Sequence, residues 1–260
     1  MLKFLANIEP AFLVEPCNGE PKEFLKLTDH ELLNLKPSTV LEIPTKLNVQ
    51  YSISPSFLQA ALKPYLVQST GKDVLERHYG IKPGKYMISA TKHYSWPKGG
   101  GEFFMNFRQS KCLPVRILTN AIDIPKAISG IGSDNFVDVD VDDEARMNTS
   151  ALRNEIDKCI EENIPIFGVV AIMGSTEHGA CDPLAEIVKI REEYQKEKGI
   201  SFAIHCDAAW GGYFASLLRE RVGRGPGDIP YVPAMPLNPH TRTQLESLGH
   251  ADSITIDPHK

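Results

Sequence analysis

The sequence predicts an α/β fold, a mainly parallel sheet flanked by helices, and three observations predict it. From Lys85 onward, short strand-like runs alternate with helix-like ones, the order from which parallel sheets are built. One run, "PIFGVVAIM" (165–173), is apolar throughout apart from a glycine, as a strand covered on both faces must be. The intervening stretches are amphipathic and carry proline at their starts or glycine at their ends, the usual punctuation of helices.

Taken in order, residues 1–85 offer only helix-like pieces, "EFLKLTDHELLNL", "SPSFLQAALKPYL" and "GKDVLERHYGI", divided by prolines and glycines that end helices. No strand is clear there, so this part reads as a helical, partly irregular N-terminal segment. "KYMISAT" (85–91) is then a short buried strand, and "FVDVDVD" (136–142) alternates with period two as a half-covered strand should. "TSALRNEIDKCIEENI" (149–164) reads as a helix capped by Thr149 or Ser150. The strand "PIFGVVAIM" follows, and "DPLAEIVKIREEYQKEKG" (182–199) is an amphipathic helix stopped by Gly199. "ISFAIHCDAAWGG" (200–212) supplies the next strand, "TRTQLESLGH" (241–250) a helix and "DSITI" (252–256) the last strand.

Composition narrows the partners. The 260 residues suit one large domain or two small ones, and their formal net charge is −5 with Lys and Arg scattered, so no basic face exists to track nucleic acid. Five cysteines form no CxxC pair and make an odd count, which argues against a disulfide framework and for a reducing, cytoplasmic compartment. Glu9 and Pro10 interrupt the apolar start too early for a signal peptide or a membrane span. His178, Cys181, His205, Cys206 and His259 invite a zinc reading. They lack the spacing of a structural zinc site, and on a strand Cys206 points away from His205, so no metal is expected.

In parallel α/β sheets ligands sit at the carboxyl ends of the strands. The residues there are Lys92, His93 and Tyr94; then Gly174 to His178; then Cys206 to Trp210; then Asp257, Pro258, His259 and Lys260. An imidazole, a hydroxyl, a carboxylate and an amine therefore meet at one crevice. Read blandly, Asp207 caps a helix starting at Ala208, Thr176 and His178 are turn residues and Lys260 is a solvated charge. Read chemically, a lysine amine can form a Schiff base with an aldehyde cofactor, and a carboxylate beside a pyridine nitrogen holds it protonated.

"HCDAAWGG" at 205–212 followed by "DPHK" at 257–260 resembles the pyridoxal-phosphate-dependent group II decarboxylases, and "HYSWPK", "GSTEHGACDP" and "ADSITIDPHK" resemble them in the same order. The likeness is greatest to fungal tyrosine-decarboxylase-like members. It implies a fold-type I large domain over residues 86–260 and pyridoxal 5'-phosphate as cofactor. An L-amino acid, aromatic and tyrosine-like, is the implied substrate, and a homodimer the implied assembly. Under it Lys260 is the Schiff-base lysine, Asp207 the partner of the pyridine nitrogen, and His93 the ring that stacks on the cofactor. Ala209 packs on the opposite ring face, Thr176 lies beside the ring oxygen, and His205 and His259 are outer contacts or proton carriers. Lys260, His93 and Asp207 are the catalytic residues of that reading. Family members continue past the lysine into a small C-terminal domain and begin earlier with a phosphate-binding loop, so the resemblance also implies a fragment of the large domain. Residues 101–125 read as an atypical insertion outside the sheet. A non-catalytic remnant or truncated gene model of such an enzyme, and another fold-type I lyase, are the alternatives.

Overall fold

The computed structural model describes residues 12–96, 131–218 and 237–258. Residues 101–125, expected as an insertion, and His259 and Lys260 lie outside them. Its centre is a sheet of five parallel strands in the order β4-β3-β5-β6-β7. The strands are β3 (Lys85–Ser89), β4 (Phe136–Val139), β5 (Ile166–Ile172), β6 (Ala203–Asp207) and β7 (Ser253–Thr255). The expected α/β class with a mainly parallel sheet is what the chain forms, and β5 is buried nearly throughout, as its apolar run requires.

Alternation along the strands divides the sheet into two faces. Met87, Val139, Val169, Ala171, Met173, Ile204 and Cys206 point to one side and join the main apolar cluster. They meet Leu152, Ile156 and Cys159 from α6 (Thr149–Glu161) and Leu184, Ile187, Ile190 and Tyr194 from α7 (Leu184–Lys198). Each fully buried Leu or Ile there contributes about 1.5–3 kcal/mol of transfer free energy. The other face carries Ile88, Val170 and Ile172, packed against Trp96. Beyond them on the same face come His205 and Asp207, in register with Ser253 and Thr255 of β7.

The helix ends follow local chemistry. Asn148, not Thr149 or Ser150, caps α6, accepting the backbone N–H groups of Ser150 and Ala151. Asparagine is as good a cap as serine, and it stands one residue earlier, where the backbone is still extended. Gly199 ends α7 in the left-handed conformation at φ 64°, as its sequence position suggests. The strand expected over 136–142 pairs only to Val139; Val141 then bridges Met147 in a tight return.

The N-terminal segment differs from expectation in two ways. Two-residue strands β1 (Leu13–Val14) and β2 (Lys22–Glu23) pair antiparallel, too short to leave a periodic signal. Three of its helices are α1 (Asp29–Leu33), α2 (Pro37–Tyr51) and α3 (Pro55–Leu62), and α2 runs straight through Pro44. A proline there removes one backbone bond and crowds the carbonyl of Val40. Val40 and Leu41 are exposed, so the disturbed turn faces outward, and Ile43 and Leu47 pay inward packing with Phe12, Phe24 and Leu58. Two further helices, α4 (Val67–Thr70) and α5 (Lys72–Tyr79), lead into β3.

Candidate active site

The carboxyl edge of the sheet is shaped first by glycines. The chain leaves β5 through Gly174, at φ 98°, and leaves β6 through the "WGG" turn. A Cβ on Gly211 would lie 2.0 Å from the Met173 carbonyl oxygen, so only glycine allows the two strand exits to touch. The loop from Gly174 to Ala180 closes on itself: Gly174 and Ser175 N–H groups donate to the Ala180 oxygen, and the Ser175 hydroxyl accepts the Ala180 N–H. Thr176, Glu177 and His178 are thereby held at an exposed tip.

His93, Ile172, Gly174, Ser175, Thr176, Asp207, Ala209 and Trp210 line one cleft at this edge. Four of the expected residues therefore meet there: His93, Thr176, Asp207 and Ala209. Asp207 is half-buried at the end of β6. Its Oδ1 accepts the Ala209 N–H at 3.2 Å, the capping contact of the bland reading, while Oδ2 accepts the Trp96 indole N–H at 2.7 Å. His93 follows β3; its Nδ1 accepts the Ser95 N–H at 3.3 Å and sits 2.8 Å from the Ser95 hydroxyl.

His205 is turned sideways across the sheet. Its Nδ1 lies 2.8 Å from the Ser253 hydroxyl and its Nε2 3.2 Å from that of Thr255. Burial pushes the imidazole below its ordinary pKa, against the pull of the Asp207 charge. Cys206 points the other way, fully buried, its thiol pushed up to about 12 by burial, which leaves it unreactive. The tail returns to the same spot: the Ala208 N–H donates to the Thr255 oxygen at 3.0 Å, and the Asp257 N–H reaches the Ala209 oxygen at 3.4 Å.

Two residues escaped the sequence reading. Trp96 stands within the quoted "HYSWPK", and nothing in its spacing reveals that its nitrogen ends on Asp207. Asp182, within "GACDP", is 1% exposed, with Oδ1 accepting the Met147 N–H and Oδ2 the Ile172 N–H, each at 2.7 Å. Burial raises its carboxyl to about 6, opposed by those two bonds and one from the Ser89 side chain. It ties three chain segments beneath the cleft.

A carboxylate that lines a cleft at the end of a parallel strand, with an imidazole and a small residue beside it, stands where α/β sheets bind their ligands. Comparison with known proteins names the class: the profile described as "Pyridoxal-dependent decarboxylase conserved domain" matches residues 126–260, and the chain belongs to that family. With the parallel sheet, membership makes this a fold-type I large-domain core, and the family's cofactor is pyridoxal 5'-phosphate. An L-tyrosine decarboxylase of Enterococcus faecium is 29% identical over 92% of this chain and 34% of its own length. Another from Levilactobacillus brevis is 35% identical over 68% of this chain and 26% of its own. The chain thus spans about a third or less of these relatives. The crystal structure of mouse CSAD in apo form aligns at a TM-score of 0.46 and 25% identity, over 75% of this chain and 28% of that one. Among the described residues no helix is long and apolar enough to cross a membrane.

Proposed function

We propose that the chain is the cofactor-binding core of a pyridoxal-phosphate-dependent decarboxylase that converts a tyrosine-like aromatic L-amino acid to its amine and CO2. The observation that carries this is Asp207, fixed at the mouth of the cleft with His93, Thr176 and Ala209 beside it. These residues fit the ring end of the cofactor. A carboxylate has about four acceptor positions and Asp207 uses two, so it can still take a pyridinium N–H.

When bound, the cofactor accepts the electron pair left on Cα as CO2 departs. The chain's own residues hold and orient it. Asp207 keeps the ring nitrogen protonated through its charge. His93 would pack on one face of the ring and Ala209 on the other, where a small side chain leaves room. Thr176 offers its hydroxyl to the ring oxygen. Lys260 would supply the amine for the cofactor's aldehyde, with water as the leaving group; Asp257, three residues before it in the sequence, donates its backbone N–H to the Ala209 oxygen. His205 acts as an outer support, both ring nitrogens being engaged by β7, and His259 is left as the proton carrier. A homodimer in the cytoplasm completes the reading. Its substrate preference is supported by the tyrosine decarboxylases that align over most of the chain.

The test is covalent. With the family's phosphate-binding loop and C-terminal domain joined to the chain, pyridoxal phosphate should give a yellow species that borohydride fixes on Lys260, found by peptide mass, and L-tyrosine should release CO2 faster than L-glutamate or L-aspartate. Asp207→Ala should abolish turnover while Lys260 still reacts. Label on another lysine, or full turnover by Asp207→Ala, refutes the assignment.

A further inference from the structure

Trp96 adjoins this cleft through its bond to Asp207, and the decarboxylase reading gives it no task. Its ring is seated on Ile88, Val170 and Ile172 and meets Phe136 and His205 edge-on, with centroids at 6.2 and 5.8 Å. An indole nitrogen can only donate. At 2.7 Å from Asp207 Oδ2 it makes a short bond to a charged acceptor, stronger than one between neutral groups. The other oxygen is held by the Ala209 N–H. Two donors on two oxygens fix the plane of the carboxylate.

We infer that Trp96 is a positioning residue for Asp207: its indole N–H clamps the carboxylate in the orientation that presents its remaining acceptor positions to a cofactor ring nitrogen. The inference rests on the cofactor reading above. The placement has a structural basis. The Trp96 backbone N–H donates to the His93 carbonyl at 3.1 Å, so one short turn after β3 carries both the imidazole of the cleft and the clamp on its carboxylate. Apolar seating alone would hold an indole on Ile88, Val170 and Ile172 without aiming its nitrogen. His205, locked by Ser253 and Thr255, backs the indole from the side of β6.

The experiment uses the whole chain and two replacements at position 96: Trp96→Phe, and benzothienylalanine, which keeps the shape of the indole with sulfur in place of N–H. Without cofactor, the Trp96 indole proton, followed by nitrogen-15 NMR, should exchange slowly in the native chain and quickly in Asp207→Ala. Titrated with pyridoxal phosphate, both position-96 variants should bind about tenfold more weakly than native, the scale of one bond to a charged group. In the Asp207→Ala background the same replacements should cost nothing further. Equal losses in both backgrounds would make Trp96 a packing residue and overturn the inference, as would a native affinity in the benzothienylalanine chain. Absence of pyridoxal phosphate binding by the native chain would overturn the cofactor reading and the positioning role together, whatever the indole exchange shows. Slow exchange with native-like affinity on replacement would overturn the positioning role alone.

Discussion

Asp182 and Asp207 stand at the same edge of the sheet, and the difference between them separates what holds the fold from what is left for chemistry. Asp182 lies beneath the edge, 1% exposed, its two oxygens consumed by backbone N–H groups from Met147 and Ile172. Asp207 sits on the open face, half-buried, with one backbone and one indole donor. The first stands between Cys181 and Leu184 of the main apolar cluster and is not among the residues lining the His93 cleft; the second is. A buried acceptor with every donor matched is a structural tie, because losing it strands those donors. A carboxylate with unused acceptor positions at a cleft is available to a ligand.

The sharpest way to break this comparison is to disturb the edge that both share. Gly211→Ala would press a Cβ onto the Met173 carbonyl, a backbone atom that has no rotamer to escape by. We expect a loss of at least about 3 kcal/mol in urea unfolding, at the upper end of overpacking costs. A near-native stability would mean that the two strand exits are not packed as described. Next in size is Asp182→Asn. An amide offers one oxygen where two N–H groups converge, so one is stranded, at a cost of about 2 kcal/mol. The same variant should lose part of the pH dependence of stability. With its folded pKa raised to about 6, Asp182 keeps its proton where the unfolded chain has lost it. Its contribution is thus full below about pH 4 and fades as pH rises through about 6. Urea midpoints at several pH values should show a flatter profile in Asp182→Asn over that window.

Asp207→Asn should do the reverse. Its stability is expected to stay within about 1 kcal/mol of native, since an asparagine oxygen still accepts one of the two donors and the site is only half-buried. Its affinity for pyridoxal phosphate should fall. If Asp207→Asn unfolds the chain as Asp182→Asn is expected to, the two carboxylates do the same job, and the comparison fails.

Much of the sheet could be read from the sequence because a covered strand writes an apolar run and a helix writes its caps and period. β5 and the Gly199 stop are instances. Asp207, His93, Thr176 and Ala209 could be placed near one another because each follows a strand in a parallel sheet, where every carboxyl end faces one way. Trp96 and Asp182 could not. Their partners lie across the fold, on other strands, and no spacing along the chain encodes which N–H meets which oxygen. α2 failed for a different reason: Pro44 looks like a terminator, yet the turn it disturbs faces solvent, where the cost is lowest. The two-residue β1 and β2 carry no period at all.

The smallest effect lies on the open face and should have the opposite sign in pH from the buried one. His205 is pushed below its ordinary pKa by burial, so between that depressed value and about 6.5 the unfolded chain binds a proton that the folded chain does not. Stability from this site is present above about pH 6.5 and is lost as pH falls. His205 is only partly buried, and screening holds the effect to well under about 1 kcal/mol. His205→Gln, which can keep one bond to Ser253 but has nothing to titrate, should remove this acid-side loss while leaving the Asp182 window untouched. Urea midpoints of the double variant Asp182→Asn, His205→Gln should then vary least with pH of the four proteins. A His205→Gln profile that instead flattens between about pH 4 and 6 alone would show that the two faces do not titrate independently, despite the sheet between them.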